Sequence, residues 1–425
     1  MKLFKNDLSY IKMKQLLLAL LFLGNLAQAQ NHSVLFIGNS YTYVNNLPDM
    51  LSQLANANGD TLTHDSSTPG GYYFRAHSTN ATTLTKISNK PWDFVILQEQ
   101  SQIPSLSPAI VGNDWSPPHA HTLDSLIKAN NSCTETVFYM TWGRKNGDAS
   151  YCAQQPSVCT YEGMQGQLRS TYLQMANEND ATVAPVGMAW RAAIQADSML
   201  ELYSPDQSHP SVNGTYLTAC VFYATLYQKS PVGIPFYSSV DTVTAQFLQG
   251  IAEQIVFDSI ATWRIGHADL VVNFSYQALN GLDYQFTNNS NNQNGQLWDF
   301  GGSTDTSTNP TFSFPAPGLY NVNLSAWNDC DTLSSSQQID ITATGYQQQP
   351  KPTDFQVFPN PNKGRFIIQS NDNRPISSIK IYNNLGQCVY QQQVNNQERI
   401  NLDLGLENSI YHLVLEDIHG QNSIQ

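Results

Sequence analysis

The chain has 425 residues, too many for one ordinary domain, and its 41% hydrophobic content is enough for sizeable cores. Only 12% of residues are charged, against a usual share of about 25%, and the formal net charge is −13. An acidic chain with no basic patch excludes a nucleic-acid partner, while a surface rich in amides and hydroxyls suits a neutral partner such as carbohydrate.

Residues 1–29 read as a signal peptide. Lys14 stands in a short n-region, residues 16–23 form an apolar run too short to span a bilayer, and Ala27-Gln28-Ala29 has the small-x-small pattern of a cleavage site. The mature chain is expected to begin near Gln30, to lack a membrane span and to be secreted or held at the cell surface. Met1 and Met13 both stand as possible starts.

Residues 30–267 alternate strand and helix patterns. The apolar run 34–37 ends in Gly38 and reads as a buried parallel strand, followed by a helix at 47–57. Further strands are expected at 92–97, 136–140 and 182–188. Helices are expected at 120–129, 162–177, 190–199, 214–227 and 243–264. Such alternation implies an α/β sheet with helices on both faces.

Residues 268–345 change to short alternating strands with polar turns, at 271–274, 284–286, 311–314 and 320–324, as in an all-β sandwich. A Gln/Pro linker follows at 346–353. Residues 354–425 form the last expected domain.

Of the six cysteines, Cys152 and Cys159 flank a short polar loop and are the expected disulfide, because export permits one. Cys133, Cys220, Cys330 and Cys388 read as small buried residues. No Cys-x-x-Cys zinc pattern occurs. His119 and His121 lie two apart at the start of a helix, share no face, and give no metal pair.

The chemistry is expected at two distant segments. Ser40, in Gly38-Asn39-Ser40, stands where the first buried strand ends, at the carboxyl edge of the sheet. A serine there is also a good helix cap, so alone it decides nothing. Asp206 and His209 lie far downstream in Asp-Gln-Ser-His, just before the 214–227 helix. Three residues apart, they can face each other within one turn, so that the carboxylate fixes the imidazole and the imidazole serves Ser40 as base.

These two blocks resemble the SGNH/GDSL hydrolases, with Asn39 in the place of the more common Asp. The resemblance implies a flavodoxin-like three-layer α/β/α fold and a serine esterase with a Ser40-His209-Asp206 triad, needing neither metal nor cofactor. It also implies an oxyanion hole from the backbone of Ser40, a glycine after the second strand and a side-chain amide after the third. Pro69-Gly70-Gly71-Tyr72 matches the glycine segment, with Gly70 ahead of Gly71. The usual Gly-x-Asn-Asp block is replaced by Gln98-Glu99-Gln100-Ser101, where Gln100 superposes on the Asn and Gln98, at the strand end, is its rival. Gly112-Asn113-Asp114 lacks the spacer residue and a leading strand. Glu99 reads as a salt-bridge or surface residue. Trp142 and Tyr72 are open between sugar stacking and core packing.

Residues 297–302 (Leu-Trp-Asp-Phe-Gly-Gly), Pro317-Gly318-Leu319-Tyr320 and Ala326-Trp327-Asn328 resemble the PKD domain, which implies an immunoglobulin-like spacer or a carbohydrate-contacting module. Phe358-Pro359-Asn360-Pro361 with Gly364, then residues 379–386 and 409–413, resemble the C-terminal sorting domain of type IX secretion substrates. That resemblance implies secretion machinery as a partner. The basic closing strand usual in such domains is missing, so a truncated C-terminus is expected. The expected function is a secreted esterase deacylating a small-molecule or polysaccharide ester. The alternative is an inactive glycan-binding or adhesion protein on the same fold.

Overall fold

Val34, Leu35, Phe36 and Ile37 are all fully buried in strand β1 (Asn31–Ile37). Successive strand residues point to opposite faces, so an unbroken buried run requires a layer on each side of the sheet. The computed structural model that shows this describes residues 29–279, 281–341, 355–358, 364–370, 375–383, 388–405, 411–417 and 422–424. The expected signal peptide up to residue 28, the 346–353 linker and residues 359–363, 384–386 and 409–410 of the sorting motifs lie outside them.

The central sheet has five parallel strands in the order β2-β1-β3-β4-β5, with β2 (Thr61–Ser67), β3 (Phe94–Leu97), β4 (Glu135–Tyr139) and β5 (Thr182–Ala184). That is the flavodoxin-like order, and its topological switch point lies between β1 and β3. The helices that bear on the argument are α1 (Ser40–Tyr43), α2 (Leu47–Ala57), α3 (Phe74–His77), α4 (Ala81–Ser88), α5 (Ser116–Asn130), α6 (Tyr161–Glu178), α7 (Val186–Ala196), α8 (Val212–Tyr227) and α9 (Thr242–Phe257), with a further single turn at Pro108–Val111. Helix α8 packs against α2, α7 and α9, and α5 packs against α4 and α6. Residues 214–227 of α8 are all buried, so this helix is apolar on every side rather than along one stripe.

The structure corrects the sequence-based expectation in several places. Strand β2 was not anticipated, because only Leu62 and Ser67 of Thr-Leu-Thr-His-Asp-Ser-Ser are buried at this sheet edge. The strand expected at 182–188 stops at Ala184, since Pro185 has no N–H to continue a ladder and α7 begins directly after it. The last helix ends at Phe257, after which Trp263 folds back and donates from Nε1 to the Ile255 carbonyl at 2.8 Å.

The chain divides into two compact units, with the break between His267 and Ala268. Beyond it, β6 (Phe274–Ala278), β7 (Asp283–Asn288) and β10 (Thr311–Ser313) form one antiparallel sheet. The other holds β8 (Gly295–Asp299), β9 (Thr304–Asp305), β11 (Gly318–Trp327) and β12 (Thr332–Ile341). Phe286 from the first sheet and Trp298, Val322 and Ile339 from the second share one core, as in a β-sandwich. The first strand expected here, 271–274, is displaced to β6, and Val271 makes only an isolated bridge to Asn291.

A second small sandwich joins β13 (Phe355–Phe358), β14 (Arg365–Ser370) and β17 (Arg399–Asp403) to the sheet of β15 (Ile376–Asn383), β16 (Cys388–Gln397), β18 (Tyr411–Asp417) and β19 (Asn422–Ile424). Gly364 directly precedes β14 at φ 93°, and a Cβ there would lie 2.0 Å from the Leu404 carbonyl oxygen, so no side chain fits.

Cys152 and Cys159 form the expected disulfide, and Cys220 is buried and free. Cys133, Cys330 and Cys388 are exposed, contrary to the expectation of burial, because each lies on a loop or strand end that faces water.

Candidate active site

The nucleophile turn is built by close packing at the end of β1. A Cβ on Gly38 would lie 2.5 Å from Gln98 Oε1 and 2.8 Å from Thr42 Oγ1, so the backbone can pass there only as glycine. Asn39 then caps α1, its Oδ1 accepting from the Tyr41 N–H at 3.1 Å. Its Nδ2 donates to the Tyr72 carbonyl at 2.8 Å, which ties the turn to the segment after β2. Ser40 is the first residue of α1 and half-buried. Its own N–H therefore has no acceptor within the helix.

The second segment arrives from the loop before α8. Asp206 Oδ1 accepts from the N–H groups of Ser208 and His209, at 3.1 and 2.9 Å, and its Oδ2 accepts from His209 Nδ1. Partial burial pushes the Asp206 carboxyl up, but the bonds from His209 and the Ser208 and His209 N–H groups together outweigh it and hold the carboxyl below its ordinary range. With Nδ1 donating to Asp206, His209 Nε2 is left to accept the Ser40 hydroxyl at 2.7 Å. The three residues therefore meet in one hydrogen-bonded line at the switch point, although Ser40 and His209 are 169 positions apart.

Several residues besides the triad hold that line. The Tyr41 hydroxyl is 2.5 Å from Ser208 Oγ, and its ring stacks on Trp142 at 4.8 Å. Trp142 in turn stacks on Trp190 at 3.7 Å. Asn45 Nδ2 donates to the Pro210 carbonyl and to Thr215 Oγ1, at 3.1 and 2.9 Å. Gln207 sits at φ 61°, a conformation fixed by the Lys145 N–H donating to its carbonyl at 3.1 Å. For Tyr41, Asn45, Gln207 and Ser208 the only sequence signal was adjacency: Tyr41 and Asn45 follow the nucleophile, and Gln207 and Ser208 lie inside the Asp-x-x-His block.

Trp142 is fully buried, so the sugar-stacking option is excluded for it, because both faces of its ring are already taken by Tyr41 and Trp190. Tyr72 stays half-buried, edge-on to His77 at 5.2 Å. His119 bonds the Asn113 carbonyl and His121 bonds Asn179 Oδ1, so the two point to different partners. Among the described residues, no group of three or more His, Cys, Asp or Glu could hold a metal ion.

Pro69 to Tyr72 forms a turn closed by the Tyr72 N–H on the Pro69 carbonyl at 3.2 Å. Gly71 occupies its positive-φ position at 72°, so Gly71 serves the turn, while Gly70 lies under the Tyr43 hydroxyl. Gln98 does not fit the expected oxyanion role. It is fully buried, its Oε1 accepts from the Asn39 N–H and Thr42 Oγ1, and its Nε2 donates to the Glu99 carbonyl at 2.5 Å. The register at the end of β3 turns it under Gly38 rather than toward solvent. Gln100 is half-buried and holds its own loop: Oε1 accepts from Gln102 and Ile103, and Nε2 donates once, to Gln102 Oε1 at 3.1 Å. One N–H of that amide remains. Glu99 is neither a surface nor a salt-bridge residue. It is fully buried, and burial pushes its carboxyl up to about 8.

Residues 356–424 match the family described as the secretion system C-terminal sorting domain, which indicates export to the cell surface or the medium. No curated protein matches the chain. Among solved structures, a candidate SGNH hydrolase from Slackia heliotrinireducens is similar at 28% identity, covering 47% of this chain and all 100% of that one, with a TM-score of 0.38. A DUF4886 family protein from Bacteroides uniformis is 17% identical over 54% of this chain and 96% of its own, with a TM-score of 0.46. The PKD1 domain of a Vibrio cholerae metalloprotease is 32% identical over 17% of this chain and 95% of its own, with a TM-score of 0.16. Among the described residues no helix is long and apolar enough to cross a membrane. The chain therefore joins an α/β domain that resembles the SGNH/GDSL hydrolases in fold to a PKD-like β-sandwich and a secretion-system sorting domain.

Proposed function

We propose that the chain is an exported serine ester hydrolase with Ser40 as nucleophile. The observation that carries this reading is the bond of Ser40 Oγ to His209 Nε2 at 2.7 Å, with the opposite ring nitrogen on Asp206. Ser40 Oγ attacks the ester carbonyl while His209 takes its proton, and the ionised Asp206 stabilises the imidazolium. The N–H of Ser40, the N–H of Gly70 and the remaining N–H of Gln100 are the proposed oxyanion donors. The alcohol leaves with the proton held by His209, and water releases the acyl group by the same route in reverse.

The proposed substrate is an acylated carbohydrate. Export, the PKD-like sandwich and a surface poor in charge support this choice over a lipid. The proposed export route starts with cleavage of residues 1–29 and ends with recognition of 354–425 by the secretion machinery. The proposed domain limits are 30–267, 268–345 and 354–425, with 346–353 as linker.

The test is Ser40→Ala on acetylated sugars and p-nitrophenyl esters. A loss of about a thousandfold or more in kcat is expected, and retention of activity within a few-fold defeats the mechanism. A second reading, a silent glycan-binding or adhesion protein, draws on Gln98 being turned inward, which removes one expected oxyanion donor. A fluorophosphonate probe separates the two, because only an activated serine is labelled.

A further inference from the structure

Gln98 and Glu99 are neighbours at the end of β3, both fully buried, and their side chains engage different segments. Gln98 Oε1 accepts from the Asn39 N–H at 2.8 Å, inside the nucleophile turn. Glu99 Oε1 accepts from the Phe74 N–H at 2.9 Å and from the Gln100 N–H at 2.7 Å. Phe74 opens α3, and the last residue of α3, His77, donates from Nε2 to the Gly38 carbonyl at 2.9 Å. His77 Nδ1 is then free to accept from Thr83 Oγ1 at 2.9 Å. Hydrogen bonds thus leave Gln98 for the nucleophile turn, cross to His77, follow α3 to Phe74 and return to Glu99. The ring closes on two adjacent residues. The Gly70 turn hangs on the same ring, since Asn39 Nδ2 holds the Tyr72 carbonyl.

Glu99 is an unusual choice for this place. A buried carboxylate without a cation is costly, and a neutral residue could accept the same two bonds. Ser116 and Tyr172 lie against it, and the charge that acts on it is Asp114, of like sign. The acid is thus kept in a neutral form, and its Oε1 acts as a carbonyl-type acceptor.

We propose that Glu99 is a positioning residue, which fixes the Gly70 segment against the Ser40 turn through its bonds to Phe74 and Gln100. Its effect on turnover rests on the hydrolase reading above. Its effect on the turn does not.

The experiment compares Glu99→Gln with Glu99→Met and Glu99→Ala in the full chain, by steady-state kinetics on p-nitrophenyl acetate and by amide hydrogen exchange. The Gln variant keeps an acceptor oxygen and is expected to hold kcat within about threefold. The Met and Ala variants leave two N–H groups without an acceptor and are expected to lower kcat by about ten- to a hundredfold, with KM within about twofold. Exchange at residues 38–43 and 74–77 should accelerate at least about tenfold in Met and Ala but not in Gln. Unchanged exchange in a folded Met variant overturns the proposal, as does a Gln variant impaired as much as Met. Should neither Met nor Ala fold, the native protein decides: fast exchange of the Phe74 and Gln100 amides overturns the brace, and strong protection supports it. If the native protein neither labels with fluorophosphonate nor cleaves esters, the hydrolase reading fails while the exchange measurements still judge Glu99.

Discussion

Trp142 Nε1 donates to the Ser208 carbonyl at 3.0 Å, one residue before His209. A fully buried indole, clamped between Tyr41 and Trp190, therefore sets the height of the base above Ser40. Trp142→Phe keeps an aromatic in the stack and deletes the donor. We expect about a tenfold fall in the acylation rate, with KM little changed and about 1–3 kcal/mol of stability lost. Single-turnover acylation by p-nitrophenyl acetate measures the first, and urea unfolding the second. A variant that acylates at the native rate would mean that Asp206 alone orients His209.

Asp206→Asn addresses the tautomer. The native Oδ1 accepts two backbone N–H groups, so an Asn would keep its oxygen there and present its NH2 to His209 Nδ1. The imidazole would then carry its proton on Nε2 and could not receive one from Ser40. We expect kcat to fall by about a thousand- to ten-thousandfold, with the fold intact by circular dichroism. A fall of only a few-fold would assign Asp206 a structural task in its loop.

His77 makes stability depend on pH. Burial holds its pKa down at about 4, against the bond to the Gly38 carbonyl, which raises it. The unfolded chain binds a proton near 6.5. Between pH 6.5 and 4 the unfolded state alone is protonated there, so stability falls as the pH drops through that window. The contribution is complete above pH 6.5, and the loss approaches about 3 kcal/mol by pH 4. His77→Gln keeps a donor for Gly38 and should flatten that part of the curve. Parallel slopes for the two proteins in urea titrations from pH 4 to 7 would contradict the neutral, buried imidazole.

Gly38→Ala tests the packing under the nucleophile. The added Cβ meets the Gln98 oxygen and the Thr42 hydroxyl at distances no methyl accepts. We expect a loss of about 1–3 kcal/mol in stability together with most of the activity. Thermal unfolding and fluorophosphonate labelling report these separately. Native labelling in the variant would show that Gln98 can move away at no cost to the site.

The short-range features were legible in the residues themselves. Four apolar residues ending in Gly38 fix a buried strand and a sharp turn, whatever surrounds them. Asp206 and His209 are close enough in sequence to meet within a single loop, and polar turns mark the change to β-structure after residue 268. What the chain order could not supply was direction. Whether Gln98 or Gln100 faces the cleft depends on how β3 meets β1, whose register pairs Ile37 with Leu97. Glu99 reads as a salt-bridge or surface acid because nothing beside it in sequence reveals that α3 and α5 close over it. For Trp142 the choice between ligand stacking and core packing is decided by Tyr41 and Trp190, distant in sequence, which occupy both its faces. Strand β2 buries too little to announce itself, and its place at the edge is decided only by pairing with β1. Local sequence sets which elements form, because turns, caps and apolar runs act over a few residues. The partner of each buried polar group is chosen across the fold, since burial penalises every unpaired N–H and C=O and the matching acceptor can lie anywhere along the chain.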